Sequence, residues 1–147
     1  MKKLFSVTLS LLMLLCLFTA CANSGSTDPW ADAAYTENKE FGEGEKTIEL
    51  KVIVDEHSVT FTIHTDASIL SEPLLEHKLI EGDNAQYGLY IKKVNGILAD
   101  YEKNKAYWGL AINGEYAMTG ADGTEIVDGG KYEFTYTKGW YFEKNFW

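Results

Sequence analysis

Tyr107-Trp108-Gly109-Leu110-Ala111-Ile112-Asn113-Gly114 reads as an aromatic-rich strand that runs straight into a hairpin turn. Asn-Gly between alternating apolar residues favours a type I′ turn, because both central positions need positive φ. A short return strand follows at Tyr116–Met118. Working outward, Asp122-Gly123 and Asp128-Gly129-Gly130 are turns, and Lys131–Lys138 is a closing strand. Upstream, Tyr87–Val94 is a strand turned by Asn95-Gly96, and Leu98–Lys105 is a polar loop.

The first half of the domain has the same grammar. Ile48, Leu50, Val52 and Val54 alternate over Thr47–Val54, and Val59, Phe61 and Ile63 alternate over Ser58–His64. With Asp55-Glu56-His57 between them they predict a hairpin. A helix is expected within Ser68–Ile80, its apolar side formed by Ile69, Leu70, Leu74, Leu75, Leu79 and Ile80. Pro73 is tolerable only in the first turn, which makes Ser71 the expected N-cap. Gly82 and Asn84 are expected to stop the helix. The order ββαββββ describes an α+β fold of the β-grasp (ubiquitin-like) type, a mostly antiparallel sheet packed on one helix.

The chain has 147 residues, with 22 acidic residues, 13 lysines and no arginine. Lys2 and Lys3 precede an apolar run at Leu4–Phe18. That run is shorter than the roughly 20 residues a spanning helix needs, and it reads as a signal peptide over residues 1–20. Phe18-Thr19-Ala20-Cys21 resembles a bacterial lipobox, in which Cys21 is acylated. An ordinary secretory signal is the plainer alternative. The other cysteine, Cys16, lies inside the signal, so the exported part has no thiol for a disulfide, a metal site or a nucleophile. Its acidic surface argues against nucleic acid and against docking to anionic lipid. Membrane attachment then comes from the lipid alone, on the outer face of a bacterial cell.

Residues 21–46 are mostly Ser, Gly, Asp, Asn and Glu and read as a flexible tether, with a reach of about 25–30 Å. Trp30 and Tyr35 are its exceptions, read as incidental packing. The globular domain is expected over 47–138. Residues 139–147 form an aromatic tail carrying Trp140, Tyr141, Phe142, Phe146 and Trp147. Such density marks either a packing edge or a binding surface.

No catalytic signature is present. There is no Gly-x-Ser-x-Gly, no Cys–His pair, and His57, His64 and His77 show no metal-ligand spacing. Asp122, Glu125 and Asp128 do not form an EF-hand run. Binding is the better reading. Tyr87, Tyr90, Tyr107, Trp108, Tyr116, Tyr132 and Tyr136 fall on expected strands, whose alternate residues face opposite ways. Some of these rings must therefore lie outside a core. Such rings offer flat apolar area with a polar tip, which suits a large planar ligand or a protein partner.

Gln86-Tyr87-Gly88-Leu89-Tyr90-Ile91, then Val94-Asn95-Gly96-Ile97, Tyr107-Trp108 and Gly120 resemble the C-terminal β-domain shared by transcobalamin and intrinsic factor. The resemblance covers about Thr47–Lys138 and extends to exported bacterial lipoproteins of unassigned role. It implies cobalamin or another corrinoid as ligand, without chemistry. The contacts it implies are Gln86, Tyr87, Gly88, Leu89, Tyr90 and Ile91, together with Trp108, Asn113, Gly114, Glu115, Tyr116 and Ala117. In that family a helical barrel supplies the rest of the site, and no such barrel is expected within these 147 residues. A partner protein or transporter is therefore expected to complete the site or receive the ligand. The rival expectation is a protein-interaction or surface-assembly module that uses the aromatic face and the tail.

Overall fold

The computed structural model describes residues 28–139. The leader at 1–20, Cys21 and all of the aromatic tail except Gly139 lie outside the described residues. Among the described residues there are nine strands and two short helices: β1 (Lys39–Phe41), β2 (Lys46–Val54), β3 (His57–Thr65), α1 (Ser71–Glu76), β4 (Ile80–Ala85), β5 (Gly88–Val94), β6 (Ile97–Leu98), α2 (Tyr101–Asn104), β7 (Ala106–Ile112), β8 (Glu115–Tyr116) and β9 (Lys131–Lys138). Short 3₁₀ turns lie at Pro29–Asp32 and Ala121–Gly123. The fold is α+β and dominated by sheet.

The strands form two sheets. The larger has the order β1-β3-β2-β9-β7-β8, and the smaller has the order β4-β5-β6. β2 and β3 pair antiparallel from Lys46↔Thr65 to Val54↔His57, as their alternation predicts. Two pairings are parallel: β2 with β9, and β1 with β3. One face of the large sheet presents Ile48, Leu50, Val52, Val54, Val59, Phe61, Ile63, Phe134 and Leu110 to the core. Leu70 and Leu74 of α1, with Leu79, Ile80, Val94, Ile97, Ala99 and Ala121, cover that face.

Both Asn-Gly turns form as expected. Asn95 (φ 51°) and Gly96 (φ 81°) join β5 to β6, and Asn113 (φ 50°) and Gly114 (φ 86°) join β7 to β8. The helix is much shorter than expected. Lys78 adopts φ 56°, and the chain closes a Schellman motif there, with Lys78 N–H donating to Leu75 O (3.1 Å) and Leu79 N–H to Leu74 O (2.8 Å). The helix thus ends before Gly82 and Asn84, which lie in β4 instead. Ser71 is the first helical residue and not the cap. Leu70 holds the cap position without a side-chain hydrogen bond, and the Ile69 N–H instead donates to the Glu72 carboxylate (3.4 Å).

β4 was not anticipated, and it buries only Ile80. Its ladder with β5 shifts register at Glu81/Gly82. At Gly82 a Cβ would collide with the Tyr90 carbonyl, so glycine permits the close approach. The polar loop at 98–105 also holds a four-residue helix, α2, capped by the Asp100 side chain on Glu102 N–H (3.0 Å).

The expected flexible tether is corrected over residues 28–46. Trp30 stacks on His57 (5.2 Å, 13°), and Tyr35 meets Phe41 and Phe61 edge-on. β1 adds a parallel edge strand beside β3. The ordered unit therefore starts upstream of Thr47. Its polar composition hid three aromatic anchors whose partners are distant in sequence. The histidines are occupied locally: His64 reaches Glu40 (2.6 Å) and Thr47 (3.0 Å), and His77 lies against Phe41 (5.3 Å).

Candidate functional site: a cleft between two sheet edges

The two sheets diverge beside β5 and β7. Among the described residues, positions 106–109 of β7 have only β9 as a strand partner, because β8 pairs at Ala111 and Ile112 alone. Positions 89–91 of β5 likewise pair only with β4, since β6 meets β5 at Lys93 and Val94. Both strands line one seam.

A cavity of about 220 Å³ lies in this seam. Leu89, Tyr90 and Ile91 form its β5 wall. Tyr107, Trp108 and Leu110 form the β7 wall, Tyr116 and Ala117 the rim, and Thr119, Gly120, Ala121 and Phe134 the remainder. No lining residue is charged. Tyr90 (40% exposed) and Tyr116 (68%) stand open to solvent, whereas Trp108 is 9% exposed. Trp108 packs edge-on against Tyr136 (5.5 Å, 80°), its register partner on β9. Its indole Nε1 is buried without a hydrogen-bond partner among the described residues. The Tyr116 hydroxyl is held above the ordinary tyrosine range, by partial burial first and then by the neighbouring Tyr107. The Tyr116 phenol therefore stays neutral at physiological pH.

The β5 wall is held in place by Asp122. Its carboxylate accepts the Leu89 N–H at 2.9 Å, which ties the β4–β5 hairpin to the 3₁₀ turn. Gly88 (φ 113°) lies so close to Asp122 that a Cβ would collide with the carboxylate. Glycine is thus required both by conformation and by space. Asp122 was not read as a site residue. Its role depends on a contact spanning 33 positions, which no local pattern reports.

Of the residues expected at the site, the structure gathers Leu89, Tyr90, Ile91, Trp108, Tyr116 and Ala117 around one cavity. The others lie elsewhere. Gln86 and Tyr87 form the β4–β5 turn, outside the strand expected to carry Tyr87, which is 94% exposed. Asn113 Oδ1 accepts the Lys131 N–H (3.1 Å), and its own N–H donates to Lys131 O (2.7 Å). Asn113 and Gly114 border a different, charged recess of about 440 Å³ with Glu49, Lys51, Lys131 and Glu133. Glu115 is an exposed residue of β8.

The model of a family described as Domain of unknown function (DUF4430) matches residues 69–138. A crystal structure described as that of a "putative metal binding protein" from Ruminococcus gnavus ATCC 29149 is 34% identical, with a TM-score of 0.61, covering 65% of this chain and 100% of that one. Haptocorrin in complex with Cbi is 21% identical, with a TM-score of 0.49, covering 67% of this chain and 26% of haptocorrin. No curated protein matches.

Proposed function

The chain belongs to the same family as the Ruminococcus gnavus protein, which it matches over that protein's whole length, and from this premise we propose a non-catalytic binding protein whose cleft takes a flat, uncharged, amide-bearing ligand of the corrinoid class. The observation that carries the reading is the meeting of residues 89–91 with Trp108, Tyr116 and Ala117 around one uncharged cavity. Aromatic rims suit a flat ligand, and their phenol tips suit its amide groups. The corrinoid class comes from the resemblance of those two segments to the transcobalamin β-domain. A cavity of about 220 Å³ admits an edge or side group of so large a ligand. A second protein, such as a transporter, covers the rest.

The strand order β3-β2-β9-β7, with β9 parallel to β2 at its centre, supports reading the large sheet as β-grasp-like. Among the described residues, no three His, Cys, Asp or Glu side chains converge. The protein-interaction reading draws on the exposed rings of Tyr90 and Tyr116 at the same cleft.

The test is a titration of the full chain with cobinamide and cobalamin, followed by tryptophan fluorescence and calorimetry. The expected result is saturable binding in the micromolar range, about −8 kcal/mol. Tyr90→Ala and Tyr116→Ala are each expected to weaken it by roughly three- to tenfold, with unchanged urea unfolding. Absence of heat at high micromolar ligand would transfer the cleft to the protein-interaction reading.

Export and attachment through a lipid on Cys21 complete the proposal, supported by the lipobox-like Phe18-Thr19-Ala20-Cys21. Cys21→Ser is expected to move the protein from the membrane fraction to the soluble one. A variant still found with membranes would remove the anchor from the reading.

A further inference from the structure

An indole carries one polar hydrogen and no acceptor. A buried tryptophan that leaves its N–H unbonded therefore waits for an acceptor from outside. Buried polar groups are paired in the great majority of cases, and an exception calls for a reason. Among the described residues, Trp108 Nε1 is the one buried side-chain nitrogen or oxygen without a hydrogen-bond partner. Trp108 does not sit in closed packing, because it forms part of the wall of the cleft between β5 and β7.

The other polar groups of the cleft are differently placed. The Tyr116 hydroxyl bonds with Tyr107, and Thr119 Oγ1 pairs with Thr124 Oγ1 (3.2 Å). Tyr90 stands open to water. A hydroxyl both donates and accepts, whereas the indole only donates. The lining holds no Lys, His, Asp or Glu. A carboxylate entering it would shed water and meet no cation, which costs more than one hydrogen bond returns. A cation would meet no carboxylate. The group that fits is a neutral oxygen acceptor, such as the carbonyl of a carboxamide. β5 and β7 belong to different sheets, so parting the two walls breaks no strand ladder between them.

We propose that Trp108 Nε1 is the specificity-determining donor of the cleft. A ligand that parts the β5 and β7 walls places a neutral carbonyl oxygen on it, and the cleft thereby selects amides over the corresponding acids. This selection rests on the cleft being the ligand site, though not on the ligand being a corrinoid.

The experiment follows the Trp108 Nε1 proton of the full chain by NMR. Its signal is identified by its loss in Trp108→Phe. N,N-dimethylacetamide offers a carbonyl and no N–H. At about 10–100 mM, the range open to so small a ligand, it is expected to move the Nε1 proton downfield to a plateau. Acetate at the same concentration is expected to leave the proton in place. Trp108→Phe is expected to bind cobinamide about three- to tenfold more weakly than the parent. The same corrinoid with its carboxamides hydrolysed to carboxylates is expected to bind the parent at least about tenfold more weakly than cobinamide. Should Trp108→Phe fail to fold, the dimethylacetamide titration of the parent decides alone. An Nε1 proton that dimethylacetamide leaves in place, with cobinamide bound equally by parent and variant, would overturn the donor and leave the corrinoid reading standing. A plateau with dimethylacetamide but no binding of cobinamide would uphold the donor and refute the corrinoid reading. Acetate acting as strongly as dimethylacetamide would overturn the selection against acids. No response to either dimethylacetamide or cobinamide would overturn both.

Discussion

Trp108→Ala is expected to lower folding stability by about 3–5 kcal/mol, the usual cost of emptying a large aromatic site in a core. The resemblance to the transcobalamin β-domain implies Trp108 as a ligand contact. The structure puts most of the ring inside, edge-on to Tyr136 and beside Leu110 and Phe134 in the core. Only its flank reaches the cavity. Loss of binding by the alanine variant would therefore not identify a contact. Trp108→Phe separates the two roles. It keeps most of the ring volume and deletes the orphaned Nε1 donor, whose burial costs about 1–3 kcal/mol. Urea unfolding is expected to place the phenylalanine variant within about 1 kcal/mol of the parent, since lost volume and relieved donor offset one another. A phenylalanine variant as unstable as the alanine variant would show that Nε1 has a partner.

Asn95→Ala is expected to cost about 2–4 kcal/mol, from two lost hydrogen bonds and a strained backbone. Asn95 is fully buried at φ 51°. Its Oδ1 accepts the Tyr35 N–H (2.9 Å) and its Nδ2 donates to the Tyr35 carbonyl (2.8 Å). Its own carbonyl accepts the Ala34 N–H (2.8 Å), and its N–H donates to Leu79 O (2.8 Å). One turn residue thus fastens the stretch at 34–35 to the smaller sheet. Asn95→Gly retains the left-handed backbone and loses the side-chain bonds, so it is expected to fall between the parent and the alanine variant. Hydrogen exchange is the second readout. Amides at 34–41 are expected to exchange faster in both variants, while those of β2 and β3 stay protected. Unchanged protection at 34–41 would show that the aromatic anchors Trp30, Tyr35 and Phe41 hold the segment without Asn95.

These two residues also show what sequence conveys. Asn95-Gly96 announced a turn because positive φ is a local demand, but nothing local announces that its side chain holds Tyr35, 60 positions away. β2, β3, β7 and β9 were legible because branched and aromatic residues alternate along them with one face buried. β4 was not, because it exposes five of its six residues and so has no alternation to read. The helix was read as too long for a related reason. Leu79 and Ile80 are apolar and buried, yet they belong to the Schellman closure and to the start of β4. At the site, the two segments that meet were visible as motifs. Which rings face the seam was not, because Tyr107, Trp108 and Tyr116 reach one cavity from different sides of the β7 edge.

The fastening of residues 28–41 to the β3 side of the large sheet sets the standoff of a tethered form. A lipid on Cys21 would leave six residues, 22–27, between the anchor and the folded body, a leash of at most about 20 Å. The domain would hover within its own diameter of the bilayer instead of ranging freely above it. The leash would leave beside Trp30, which stacks on His57, and close to the Asn95-Gly96 turn of the smaller sheet, whose β5 walls the cleft.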